Sequence, residues 1–150
     1  MIKKLLVSTV AMATLYTSAS ADLFGIDAGV GVSVTGSQSV IRTPIKLNDT
    51  MRVEPYIAFV SSDLVADNIT LGAAFHMLEP VNNNLNLYYG AYAGLSDNTA
   101  WTDVYLGPVA GVEYSFDKQF SLGAEVSLDL GFGDATDVRT SSEVTLRYYF

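Results

Sequence analysis

Few residues in this chain could carry chemistry. There is one histidine, His76, in Phe75-His76-Met77-Leu78, and no cysteine. Hydrolysis by a serine nucleophile needs a histidine to take the serine's proton and a carboxylate to orient that histidine. The residues around His76 supply no such arrangement, so it reads as an interior histidine with satisfied partners. The lack of cysteine excludes disulfides and thiolate metal sites, and a single histidine excludes multi-histidine sites. Gly29-Val30-Gly31 is not a phosphate loop, because no helix follows to present amide donors. Asp63, Asp67, Asp97, Asp134 and Asp137 fall in expected loops without calcium-loop spacing, and read as a solvated acidic rim. No catalytic residue, cofactor or metal site is expected.

The elements that hold these residues say more. A chain of 150 residues allows one domain. Its net charge of −8 argues against nucleic acid as a partner. Only 16% of residues are charged and 49% are hydrophobic, against about a quarter charged in a typical soluble domain. Yet past the N-terminus no apolar run approaches the ~18 residues of a transmembrane helix. At the N-terminus, Lys3 and Lys4 precede an apolar stretch and then Ala19-Ser20-Ala21, the order of an export signal and its cleavage site. Residues 1–21 are expected to be removed, leaving a domain over 22–150 and shifting the charge from −8 to −10. An exported chain without cysteine fits a bacterial cell envelope.

From residue 24 onward the chain alternates. Phe120, Leu122, Ala124, Val126, Leu128, Leu130 and Phe132 interleave with Ser121, Gly123, Glu125, Ser127, Asp129 and Gly131. A period of two means a strand with one oily and one polar face. Similar runs begin near Phe24, Met51, Ile69, Leu85, Val104 and Val144. A weaker one carries Ile41, Thr43, Ile45 and Leu47, which makes eight expected strands. Asn48–Thr50, Pro80–Asn84 and Asp117–Gln119 are short turns; longer connections fall near 35–39, 62–67, 96–100 and 133–140.

A soluble sandwich also alternates, but two features oppose it. The oily class of these runs contains no charged residue, and the polar class holds ten of the twelve glycines. A solvated sheet face gains nothing from so many glycines. A narrow barrel interior does, because small residues leave room for long side chains from the opposite wall. The expected fold is therefore an all-β, eight-stranded, antiparallel up-and-down transmembrane β-barrel, oil outward. Phe24, Phe75, Tyr114, Phe116, Phe120, Tyr148 and Phe150 cluster near one end of the oily face, as in an interfacial girdle.

With its export signal, eight strands and final Val144-Thr-Leu146-Arg-Tyr148-Tyr-Phe150, the sequence resembles the small outer-membrane barrels of Gram-negative bacteria, of the OmpA-barrel and OmpX type. The resemblance covers the whole of 22–150. It implies an integral outer-membrane location with both ends periplasmic. It further implies that Val144, Leu146, Tyr148 and Phe150 form the signal read by the barrel-insertion machinery. Outer-membrane lipid and lipopolysaccharide would be the surroundings, and the protein a monomer. Some small barrels of this kind are lipid A deacylases with a His-x-Ser pair, but here Leu78 stands in the serine's place. The long surface loops of adhesins and phage receptors are also missing.

Parity places Asp27, Glu54, Asp103, Glu113, Glu125, Asp129 and Glu143 inside such a barrel, with Arg42, Lys46, Arg52 and Arg147. The bases lie mainly on the second and third strands and the acids on the sixth to eighth, which face each other in a ring of eight. Opposite charges must then meet across the interior, because an unpaired buried charge is expensive. Hairpin pairing across 133–140 sets Arg147 opposite Glu125 and Glu143 opposite Asp129. The function expected is a non-enzymatic barrel, structural or minimally conducting, plugged by its own polar and ionic side chains. The alternative is a small porin-like passive pore for ions or solutes; a surface adhesin or receptor is a third reading.

Overall fold

The computed structural model describes residues 27–35, 38–60, 68–98, 102–133 and 136–150. The expected export signal, Phe24, Asp63, Asp67 and Asp134 lie outside them.

Alternation becomes extended chain throughout. The strands are β1 (Asp27–Thr35), β2 (Gln38–Arg42), β3 (Ile45–Asn48), β4 (Met51–Val60), β5 (Asn68–Pro80), β6 (Leu85–Asn98), β7 (Thr102–Ser115), β8 (Phe120–Phe132) and β9 (Asp137–Tyr149). Each pairs antiparallel with its neighbour, and β1 also pairs with β9, from Gly29 opposite Tyr149 to Val34 opposite Val144. The sheet closes on itself, so no edge remains.

β2 and β3 are two parts of one wall, each bridging β1 and β4, so the barrel has eight strands in circumference. The break falls at Thr43–Pro44. Proline has no N–H to give to a ladder. The neighbouring backbone repairs the gap: Gly29 N–H donates to the Pro44 carbonyl at 2.8 Å, and Thr43 N–H to the Pro55 carbonyl at 2.9 Å. Pro108 has a comparable effect between β7 and β8, where pairing lapses between Leu106 and Val109.

The two ends of the barrel differ. At the end where β1 begins and β9 finishes, three tight turns share one device. The side chains of Asn48, Asn82 and Asp117 each accept a backbone N–H two residues on: Thr50 and Asn84 at 2.9 Å, and Gln119 at 2.8 Å. Such Asx turns fix the chain reversal locally. Thr35, Val60, Asn98 and Phe132 end their strands at the other end.

Parity sorts the side chains inside-out relative to a soluble protein. Among the outward positions whose side chains are described, charge occurs only at Glu79, near a strand end. Val126 is 61% exposed and Val144 56%, whereas Arg52, Glu54, His76 and Arg147 are 0–1% exposed. The largest fully buried side chains are led by Arg52 and Arg147, with Tyr88, His76 and Glu54.

Three sequence expectations need correction here. The connection expected over 133–140 is shorter, because β9 already begins at Asp137, so Asp137 is a strand residue. The β8–β9 register moves with it: Arg147 opposes Ser121, Glu143 opposes Glu125, and Asp129 opposes Arg139. β6 likewise extends through Asn98, which brings Asp97 into a strand.

Candidate functional site: the ionic interior

Every second residue of each strand points to the barrel axis, so the interior is assembled from all walls. β2 supplies Arg42; β4 supplies Arg52, Glu54 and Tyr56; β5 supplies His76; β6 supplies Tyr88 and Tyr92. From the other side β7 brings Glu113, β8 brings Glu125 and Asp129, and β9 brings Glu143, Arg147 and Tyr149.

The deepest part lies toward the termini. Arg52 pairs with Glu54 on its own strand at 2.6 Å and reaches across to Glu113 on β7. Arg147 spans from β9 to Glu54, with Nε 2.9 Å from one carboxylate oxygen and Nη2 3.3 Å from the other. It also stands 3.5 Å from Glu113. Two guanidiniums and two carboxylates thus form a closed ring of attractions. Planar guanidinium forks suit this shared, two-toothed recognition better than ammonium groups would. Hydroxyls add to it: Ser121 donates to Glu113 at 2.5 Å, and Tyr149 donates to Glu113 at 3.2 Å while accepting from Arg52 at 2.9 Å.

A second group sits one layer toward the loops. Arg42 lies 2.5 Å from Glu143 and 3.7 Å from both Glu125 and Glu54, linking the layers. Thr145 and Thr35 donate to Glu143, and Tyr88 donates to Glu125. Beyond this lies a cavity of about 180 Å³, bordered by Tyr56, Tyr92, Tyr105, Asp129, Arg139 and Glu143. Asp129 there receives hydroxyls from Tyr92, Ser127 and Ser141 rather than a cation.

The glycines make this filling possible. A Cβ on Gly72 or Gly94 would stand 2.5–2.6 Å from the Tyr56 hydroxyl, and one on Gly111 2.5 Å from the Tyr88 ring. Tyr56 and Tyr88 thus lie over glycines that are their partners on the neighbouring strands, Gly72 and Gly111.

Of the residues read from the sequence as the ion-pair network, Arg42, Arg52, Glu54, Glu113, Glu125, Glu143 and Arg147 come together. Asp129 stands apart from them, on hydroxyl partners. Lys46 does not join: its ammonium is 2.7 Å from Asp27 at the exposed terminal end and 4.2 Å from the Tyr149 ring centre. Part of the excess of inward acids over bases is absorbed by position, since Asp27, Asp103 and Asp129 stand toward the ends, and four carboxylates remain with three guanidiniums. Sequence reasoning missed Tyr88, Tyr149, Ser121 and Thr145. Their signal was membership of the polar parity class, where an aromatic ring is large enough to cross the interior. The girdle aromatics do associate: Tyr114, Phe116, Phe120, Tyr148 and Phe150 form a chain of neighbouring rings with centroids 5.4–6.3 Å apart. Val144 and Leu146 continue outward on the same strand.

Fold and interior define a small, closed, eight-stranded barrel of the transmembrane type. Solved structures match it: Neisserial surface protein A has a TM-score of 0.62 at 17% identity, over 83% of this chain and 94% of that one. The Yersinia pestis outer membrane protein Ail, in a phospholipid bilayer nanodisc, has a TM-score of 0.52 at 13% identity, covering 83% and 99%. A de novo designed transmembrane β-barrel gives 0.53 at 14%, covering 84% and 96%. The expected resemblance to small outer-membrane barrels is met at the level of fold. No protein-family model and no curated protein matches the sequence.

Proposed function

We propose that this chain is a non-enzymatic, integral β-barrel of the bacterial outer membrane whose interior is plugged by its own ion pairs. The observation that carries the reading is the ring of Arg52, Glu54, Glu113 and Arg147, at most 3% exposed, inside a wall whose outer face is apolar. Apolar side chains facing outward need lipid, and a closed sheet is the only β-structure that leaves no unpaired backbone there. Charges packed across an eight-stranded lumen, only just wide enough for side chains to fill, support the plug. His76 supports the non-enzymatic reading: it is fully buried and has carboxylates on both sides, so no substrate meets it. An even number of walls sets the start of β1 and the end of β9 at the tight-turn end, which we assign to the periplasm. Cleavage after Ala21 and use of the Phe150 strand as insertion signal belong to the same reading.

Planar-bilayer recording of the refolded protein tests it. The expected result is little or no current. A steady, nanosiemens-scale channel from the unmutated protein would overturn the plug and favour the passive pore. Recovery of the protein in the soluble fraction of cells would overturn the membrane location.

A further inference from the structure

The interior repeats one arrangement at successive depths. In the deepest layer Glu54, Glu113 and the Tyr88 ring enclose two guanidiniums, Arg52 at 5.3 Å and Arg147 at 5.7 Å from the ring centre. In the next, Glu143 and the Tyr56 ring hold Arg42, whose guanidinium is 5.2 Å from that ring centre. A carboxylate and an aromatic face both attract a cation. The third layer carries the acid and the rings again, Asp129 with Tyr92 and Tyr105, but beside them lies the cavity of about 180 Å³ rather than a guanidinium. Arg139 opposes Asp129 in the ladder, yet its guanidinium is paired with Asp137 and 65% exposed.

Two carboxylates bordering this cavity have acceptor capacity to spare. Asp129 Oδ1 takes hydroxyls from Tyr92 and, at 2.8 Å, Ser127, whereas Oδ2 has only the Ser141 hydroxyl at 3.3 Å. Glu125 lies four positions deeper on β8 and is 8% exposed. Tyr88 donates to its Oε2 at 3.1 Å. Its Oε1 receives no hydrogen bond among the described residues, and Arg42 Nη2 is 3.7 Å from it. A carboxylate oxygen accepts about two hydrogen bonds, so both oxygens can take a donor from the cavity.

The surroundings select the kind of cation. Calcium takes about six to eight oxygen ligands. Among the described residues no three acids or imidazoles converge as a metal ion needs. Tyrosine faces suit weakly hydrated organic cations instead. The volume equals the share of roughly six waters at about 30 Å³ each. That admits a guanidinium or a short alkylammonium and excludes a peptide.

We propose that this cavity is a binding site for a small organic cation, an alkylammonium or guanidinium compound, held by Asp129 and Glu125 against Tyr56, Tyr92 and Tyr105. The site goes beyond the plug and does not depend on it, because it lies on the far side of Arg42 from the deepest ring.

The test is an NMR titration of the refolded protein in detergent micelles at fixed ionic strength. The probes are methylguanidinium and butylammonium chlorides; methylurea and 1-butanol are their neutral counterparts. Both cations should give saturable shifts centred on the amides of Tyr92, Tyr105, Asp129 and Ser141, and the neutral molecules should not. Ser127→Arg places a tethered guanidinium beside Asp129 and should abolish these shifts. Asp129→Asn should weaken binding by about tenfold or more, as loss of a charged hydrogen-bond partner does. If one of these variants does not fold, the other decides. Arg139→Gln should bind at least as tightly, since it removes a competing cation. Absence of saturation, an equal response to the neutral probes, or binding indifferent to both Ser127→Arg and Asp129→Asn would overturn the site. Weaker binding in Arg139→Gln would make the ligand an anion, and the same shifts from calcium chloride at lower concentration would make it a metal; either result overturns the proposal. Current through the barrel does not enter these measurements, so a failed plug and a failed cation site are told apart.

Discussion

Glu125 and Glu143 stand directly opposite each other on β8 and β9, and the Arg42 guanidinium reaches from β2 to both, 2.5 Å from Glu143 and 3.7 Å from Glu125. Like charges at opposed positions destabilise a ladder. Here the wall itself brings the anions together, and a cation from across the barrel resolves the conflict. Arg42→Ala should therefore destabilise the barrel by about 3–5 kcal/mol, the usual cost of stranding buried charge. Glu143→Gln in the same chain should recover part of that loss, because one of the two stranded anions is gone. Reversible unfolding in lipid vesicles, as a double-mutant cycle, measures both effects. Simple additivity of the two substitutions would contradict the shared role of Arg42.

The outward face gives a second prediction. Val126 is 61% exposed and Leu106 43%, and neither has a polar neighbour on its own strand's outer row. An arginine on the lipid face near the bilayer middle costs ~2–4 kcal/mol. Val126→Arg and Leu106→Arg should each show that loss in lipid. Ser127→Arg, one residue along but inward and beside Asp129, should cost less because an anion is near. Equal losses at 126 and 127 would mean that the two faces are not lipid and lumen.

Glycines in the interior should differ in what they tolerate. At Gly111 an added Cβ would meet the Ala124 backbone carbonyl and the Tyr88 ring, both at 2.5 Å. At Gly123 the close neighbour is the Nη1 end of Arg147, with Tyr88 and the Val112 carbonyl no nearer than 3.5 Å. A guanidinium tip can shift; a paired backbone cannot. Overpacking a tight interior costs about 1–3 kcal/mol. Gly111→Ala should lie in that range and exceed Gly123→Ala, as read from unfolding midpoints in matched vesicles.

Much of this architecture was legible because a strand's parity depends on local sequence alone. The runs through Val126 and Leu106 announce their oily face without knowledge of any partner strand. Register is different, since it depends on how many residues the connection consumes. Thr140 and Ser142 interrupt the oily row of the last strand, which made Asp137–Thr140 look like loop. The structure instead pairs them with Leu128 and Val126, and Arg147 moves from Glu125 to Ser121. Lys46 was misplaced for a related reason. Parity says that it points inward but not how deep, and at its depth Asp27 is the available partner. The break at Pro44 needed its acceptor role toward Gly29, which no local pattern reveals.

The final strand gives a prediction about assembly. Phe150 N–H donates to the Ala28 carbonyl at 3.0 Å, and its ring packs against Tyr148 at 5.4 Å. It thus helps join the last strand to the first as well as extending the aromatic row. Deleting Phe150 should lower the amount of folded, heat-modifiable protein in the outer-membrane fraction. Refolding of the same variant in detergent separates the two contributions. Normal refolding with poor cellular assembly marks an insertion signal, whereas poor refolding in both settings marks a closure contact.

Arg52 provides the most direct test of the plug. It contacts Glu54 on its own wall, Glu113 across the interior and the Tyr149 hydroxyl, and it is 1% exposed. Arg52→Ala removes one of the two cations in the deepest ring and leaves Arg147 alone to serve Glu54 and Glu113. An unpartnered buried carboxylate is worth several kcal/mol against the fold unless water reaches it. The neighbouring space can admit water, because truncating arginine to alanine empties a volume that spans toward β7. Relief by water would connect the cavity beside Tyr56 with the terminal end, so the loss of stability should be accompanied by new current. The charge left inside is negative, and the current should favour cations. If Arg52→Ala is destabilised yet silent in bilayers, the ring holds the barrel together without being what seals it, and the seal must be sought in Tyr88 and Tyr149 instead.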